Sequence, residues 1–294
     1  MRRFDMYVPE NVIELLSYLD DHQSGVRLIA NGSDLINRIQ RRQIEARVLV
    51  DLSGLTEFNY VRNDNGIIRI GALTTIQDLI SSPVLGRHYD VFRDVASKFG
   101  GPSIVNVATV GGNICAASSS EDLIPVLLVL GARVRVRSKK GERVLGLDDF
   151  LIGKRQTAML PNEILIETMF DELDDQSACA FEKIGMRNSL IIAFLNCSVW
   201  LKVGKESKCI EEIKIAMNRI SDKIPSRAKK TESELRGHPL TKEQLENAMT
   251  SLKSELQLTS DFRVSKEYRQ NVAPVLFKRT VIKCSERLGE RLIV

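Results

Sequence analysis

The chain has 294 residues, with 42 Lys and Arg against 38 Asp and Glu and only 5% aromatic residues. Its basic residues gather at Arg38, Arg41, Arg42 and at Arg227, Lys229, Lys230, with no aromatics interleaved. A nucleic-acid partner calls for a basic face interleaved with aromatics, so this balance argues against one. No apolar run approaches the roughly 18 residues of a membrane span, and Arg2 and Arg3 lack the apolar segment of a secretory signal.

Residues 1–55 read as β-α-β-α-β. Pro9 and Asn11 open a helix with Val12, Leu15, Leu16 and Leu19 on one face. Val26 to Ala30 reads as a strand, Asn31-Gly32-Ser33 as a turn, and the following text to Arg41 as a helix with Leu35, Ile36 and Ile39 inward. Val48 to Leu52 is the next strand. The glycine turn falls at the carboxyl end of the middle strand, where open α/β sheets bind ligands.

From residue 56 the pattern changes. Tyr60 to Ile70 reads as a β-hairpin about Asn65-Gly66, a pair suited to a type I′ turn. Thr74 or Thr75 caps a short helix, and another helix covers Tyr89 to Phe99. The run Ile104, Val105, Val107, Val110 is strand-like and enters Gly111-Gly112-Asn113. Ser118 to Ser120 and Asp122 precede an apolar helix to Leu130. Val134 and Val136 alternate with Arg133, Arg135 and Arg137 in a strand, and Asn162 to Met169 is a further strand. Beyond residue 175, Phe181 to Trp200 is apolar enough to lie mostly inside. Ile213, Ile215 and Met217 alternate as a strand, Ile224 to Ala228 links, and Thr241–Leu256 and Ser265–Arg287 read as helices.

Two glycine turns carry the chemistry. Adjacent glycines let the backbone approach a ligand, and successive N–H groups can form a concave anion site. Two phosphate-sized turns in one chain suggest a ligand with two phosphates. Each turn alone also suits an ordinary strand-to-helix corner, a β-bulge or a capped helix start. Asp34 would repel a phosphate if it pointed inward, and so fits the helix dipole or a sugar hydroxyl. Lys183 and Arg187, four apart, suit a solvated charged face by spacing alone. The three histidines stand far apart, and G-x-G-x-x-G and P-loop motifs are absent, so neither a metal cluster, a triad, nor a Rossmann site is indicated. The five cysteines (115, 179, 197, 209, 284) are scattered. They read as reduced thiols of a cytoplasmic protein, with no disulfide frame and no iron–sulfur or zinc pattern.

In order along the chain, five segments resemble the medium, FAD-binding subunits of molybdenum hydroxylases, of the carbon monoxide dehydrogenase and xanthine dehydrogenase type. They are Ala30 to Leu35, Ile70 to Thr75, Asn106 to Ile114, Asp122 to Pro125, and Ser265 to Arg269. One departure is Ala-Asn-Gly at Ala30-Asn31-Gly32, where many relatives have Ala-Gly-Gly. The resemblance implies an α+β protein: a two-subdomain FAD-binding fold of the vanillyl-alcohol-oxidase/PCMH type (1–55 and 56–172), then a C-terminal α+β domain (175–290). It implies that Ile29, Ala30, Asn31, Gly32, Ser33, Asp34 and Leu35 wrap the pyrophosphate, with Thr109, Gly112 and Asn113. By the same resemblance Phe99 and Ala108 line the flavin and adenine region, Asp122 holds ribityl or ribose hydroxyls, Leu165 packs near the isoalloxazine, and Lys183 approaches the flavin head. Molybdopterin and [2Fe–2S] clusters are then expected on a large and a small partner subunit, with electrons passing through FAD to NAD, quinone or another acceptor. A dimer of heterotrimers is the implied assembly. A stand-alone flavin oxidoreductase and a non-enzymatic assembly protein of the same fold are the alternatives.

Overall fold

The computed structural model describes residues 4–186, 192–218 and 225–289; Arg187 lies outside them. The chain divides into two compact units, and the division does not follow chain order. The first holds Met1–Val84, Gly101–Ala117 and Ala132–Phe170; the second holds Leu85–Gly100, Ser118–Gly131 and Asp171–Val294.

The first unit opens with β1 (Asp5–Tyr7), β2 (Val26–Ile29) and β3 (Val48–Asp51), a parallel sheet in the order β1-β3-β2. The strand that is middle in sequence, β2, therefore lies at the sheet edge, and β3 is central. Two crossovers carry helices Val12–Asp21 and Leu35–Gln40. Asn11 caps the first by accepting from the Glu14 N–H, and Leu15, Leu16 and Leu19 are buried beneath it, as the helical spacing requires.

A second sheet of five strands follows, in the order β4-β5-β8-β6-β7. β4 (Val61–Asp64) and β5 (Ile67–Gly71) form the hairpin, with Asn65 at φ 52° and Gly66 at φ 82°, both left-handed as a type I′ turn demands. β6 (Arg133–Ser138) runs antiparallel to β7 (Gly141–Gly146) and β8 (Ile164–Asp171). Val134 and Val136 are buried between partly exposed arginines. Thr75 caps the helix Ile76–Ser81 through a reciprocal box with Asp78.

One expectation fails here. Ile104, Val105, Val107 and Val110 do not form a strand: Pro102–Val105 is a helical turn and Val110–Ala116 is a helix capped by Thr109. Short apolar runs fit a buried helix as well as a strand, and Pro102 at the first helical position decided for the helix.

The second unit is a four-stranded antiparallel sheet, β12-β11-β10-β9, of β9 (Ser177–Ile184), β10 (Leu195–Val203), β11 (Ile210–Asn218) and β12 (Ser226–Arg227). One face packs Ala178, Ala180, Cys197, Val199 and Leu201 against Phe277 and Val281 of the helix Lys266–Arg287, which Ser265 caps. Helix Leu123–Val129 packs on the same strands, and all seven of its residues are buried. Phe181 to Trp200 is thus two buried strands, while Met186 and Ile192 between them are exposed. Ser118 to Ser120 do not cap the helix Leu123–Val129. Its N-cap is Asp122, and Ser118 hydrogen-bonds Ser120 instead.

Candidate functional site

The two glycine turns lie in the first unit and behave differently. Gly32 sits at φ 73°, and a Cβ there would stand 2.9 Å from Ile36 Cγ1. Only glycine fits this position without strain. The N–H groups of Asn31, Gly32, Ser33 and Asp34 donate to none of the described residues. The departure at Asn31 has a visible role: its Nδ2 donates to the Val107 carbonyl at 2.9 Å, tying this turn to the second motif.

At that second motif the N–H groups are spent inside the fold. Val110 donates to the Thr74 carbonyl at 2.9 Å, Gly111 to the Ala72 carbonyl at 2.8 Å, and Gly112 to Thr109 Oγ1 at 3.0 Å. Asn113 donates to the Thr109 carbonyl at 3.0 Å. The concave anion site expected from adjacent glycines is therefore not formed there. Gly111 is needed for close approach instead, since a Cβ would lie 2.7 Å from both the Cβ and the carbonyl oxygen of Ala72.

Both motifs nevertheless reach one small apolar cleft of about 100 Å³. Ala30 comes from the first turn, Thr109, Gly111 and Gly112 from the second, and Leu165 from β8. Leu28, Phe58 and Met159 complete apolar walls, and Cys115 joins them. Burial pushes the Cys115 thiol up to about 12, which keeps it neutral. Not every expected residue points there. Ile29 is buried in a cluster with Ile39 and Leu49, and Leu35 packs against the same cluster. Ala108 is buried with its carbonyl accepting from the Ile76 N–H, and Asn113 is buried too.

Electrostatics at the first turn depend on a residue that sequence reasoning missed. Arg155 Nη1 donates to Asp34 Oδ2 at 2.9 Å and to the Ala116 carbonyl at 3.2 Å. Its own N–H donates to the Ala117 carbonyl at 2.8 Å. Arg38 reaches the same Asp34 oxygen at 3.7 Å. Burial lowers the Arg38 pKa, and the Arg155 charge lowers it further. Asp34 is thus bracketed by two guanidinium groups and serves neither helix dipole nor solvent alone. Unspent N–H groups beside these cations fit an anionic diphosphate, and the apolar walls fit an aromatic ring system.

Phe99, Asp122 and Lys183 belong to the second unit. Phe99 ends the helix Asp90–Phe99 and is half-buried. Asp122 and Lys183 are brought together across 61 residues: Lys183 Nζ stands 2.5 Å from Asp122 Oδ2. The ammonium also donates to the Lys98 carbonyl at 2.8 Å, and Asn196 Nδ2 donates to Asp122 Oδ1 at 2.9 Å. Lys183 is therefore not the solvated charge its spacing suggested. Asn196 was missed, although a polar residue at a core-facing register of β10 is the signal that could have found it.

Residues 2–170 match the family of the FAD binding domain in molybdopterin dehydrogenase, and residues 180–284 match the CO dehydrogenase flavoprotein C-terminal domain. The nicotinate dehydrogenase FAD-subunit of Eubacterium barkeri is 29% identical, over 98% of either chain. The xanthine dehydrogenase FAD-binding subunit of Escherichia coli O157:H7 is 26% identical, over 90% of this chain and 91% of its own. A chain of the carbon monoxide dehydrogenase structure from Hydrogenophaga pseudoflava superposes with a TM-score of 0.91 at 24% identity, covering 97% of this chain and 98% of that one. Among the described residues no helix is long and apolar enough to cross a membrane, and no cluster of His, Cys, Asp or Glu could hold a metal. With a family match over more than half its length and the same fold throughout, this chain belongs to the FAD-binding flavoprotein subunits of the molybdopterin dehydrogenases.

Proposed function

We propose that this chain is the flavin-carrying electron-transfer subunit of a molybdopterin-dependent hydroxylase. The observation that carries the reading is the convergence of two sequence-distant turns on one apolar cleft, with a cationic N–H cradle at one of them. When bound, FAD would supply the redox chemistry, accepting electrons from the [2Fe–2S] clusters of a small partner subunit and passing them to an external acceptor. A large molybdopterin subunit would oxidise the substrate, and the complex would be a dimer of heterotrimers.

This chain's own part is binding, orientation and exclusion of water. Asn31, Gly32, Ser33 and Asp34 would present N–H groups to the diphosphate. Ala30, Thr109, Gly112 and Leu165 would bound the cleft, and Leu28, Phe58 and Met159 would keep water from the rings. Ile29, Leu35, Ala108 and Asn113 would act by backbone position or by packing. Phe99, Asp122 and Lys183 are carried as cofactor contacts by the resemblance alone. No general acid or base is assigned.

The test is the absorption spectrum of the purified chain, followed by acid release of the flavin and its quantification against protein. Close to one FAD per chain is expected. A colourless protein that refuses added FAD, both alone and reconstituted with its partner subunits, would sink the proposal.

A further inference from the structure

The diphosphate cradle contains a contradiction that the structure resolves in an unexpected place. Asp34 stands in the turn whose N–H groups donate to none of the described residues, and an uncompensated carboxylate there would repel an anionic ligand. We propose that Arg155 is a positioning residue for FAD, making this turn hospitable to a diphosphate by neutralising Asp34 and holding it in place. The inference rests on the flavin reading above.

Four observations support it. Arg155 lies 121 residues from Asp34 in sequence, yet its Nη1 is 2.9 Å from Asp34 Oδ2. The same guanidinium bonds the Ala116 carbonyl, and the Arg155 N–H bonds the Ala117 carbonyl. Arg155 therefore joins the end of the glycine helix Val110–Ala116 to the first turn, fixing both motifs together. Arg38 approaches the same carboxylate at 3.7 Å, so the local group of Asp34, Arg38 and Arg155 carries a net charge of +1 (two cations less one anion). Removing the Arg155 charge brings that balance to zero and loosens Asp34. The backbone supports a dedicated role, since Arg155 sits at φ 60°, a left-handed conformation that a non-glycine residue rarely adopts.

The consequence is specific to the phosphate end of the ligand. Riboflavin carries the same ring system and no phosphate, so it probes the cleft walls without the cradle. Binding of FAD and of riboflavin should be measured by flavin fluorescence on the intact chain, for wild type, Arg155→Gln, Arg155→Lys, Asp34→Asn and the double variant Asp34→Asn/Arg155→Gln. Arg155→Gln should weaken FAD binding by roughly ten- to hundredfold, the scale of a lost charge-assisted contact, and leave riboflavin within about threefold. Arg155→Lys should restore much of the loss, and the double variant should bind FAD better than Arg155→Gln alone. Equal losses for FAD and riboflavin, or a double variant no better than the single, would overturn the inference by making Arg155 a loop anchor only. Wild-type protein that bound neither flavin would instead overturn the underlying flavin reading.

Discussion

Replacing Lys183 by Met should unfold the second unit at much lower denaturant, with or without flavin. The Lys183 side chain is 2% exposed and that of Asp122 5%, so the methionine would leave a buried carboxylate without its ammonium partner, and the Lys98 carbonyl would lose this donor. Breaking a buried ion pair from one side costs about 3–5 kcal/mol. With a urea m-value of about 2 kcal/mol/M for a unit of this size, the midpoint should fall by about 1.5–2.5 M. The chain holds one tryptophan, Trp200, on β10 of the same sheet, with Lys214 Nζ 4.6 Å from its ring centre, so its fluorescence reports this unit. The double variant Asp122→Asn/Lys183→Met removes the buried negative charge as well and should recover at least half of the loss, because neighbouring partners couple. A midpoint shift below about 0.5 M for Lys183→Met, or a double variant as unstable as the single, would refute the reasoning that the pair is a structural unit of this sheet.

Gly111→Ala should destabilise the first unit by about 1–3 kcal/mol, because the added Cβ meets Ala72 at 2.7 Å and must push the helix Val110–Ala116 away; thermal unfolding would show it, and an unchanged melting temperature would refute the close-packing argument. Glu163 is held below its ordinary value of 4.5 chiefly by the Arg143 guanidinium, at 2.7 and 2.8 Å. Because its folded-state pKa is depressed, the stability it contributes is present above the unfolded value and lost as pH falls through the folded one. Glu163→Gln should therefore flatten the loss of stability that denaturation midpoints show as pH falls below 4.5. Cys115, with its thiol pushed up to about 12, should resist alkylation near neutral pH, and Cys115→Phe should fill the cleft and block flavin binding while leaving the fold intact by circular dichroism. Rapid labelling of native Cys115 near neutral pH, located by peptide mapping, would contradict its raised thiol pKa.

What the sequence determined by itself is local. Helical spacing at Leu15, Leu16 and Leu19, the Asn65-Gly66 turn, and the caps at Asn11, Thr75, Thr241 and Ser265 are all formed as their residues dictate. Each depends on neighbours within about four residues, where propensity and hydrogen-bond geometry act directly. The glycine motifs were legible as unusual backbone, and the resemblance located them. Their division of labour was not. That Gly111 serves packing against Ala72, while Gly32 opens a turn with free donors, depends on where a distant strand end lies. The short run from Ile104 to Val110 was ambiguous in the same way, since four apolar residues satisfy helix or strand until their surroundings choose. Only the tertiary structure could pair Asp34 with Arg155 or Asp122 with Lys183 and Asn196. Such partners are set by chain closure over tens of residues, and a single charged side chain in a loop carries no periodic signal of the carboxylate it will meet.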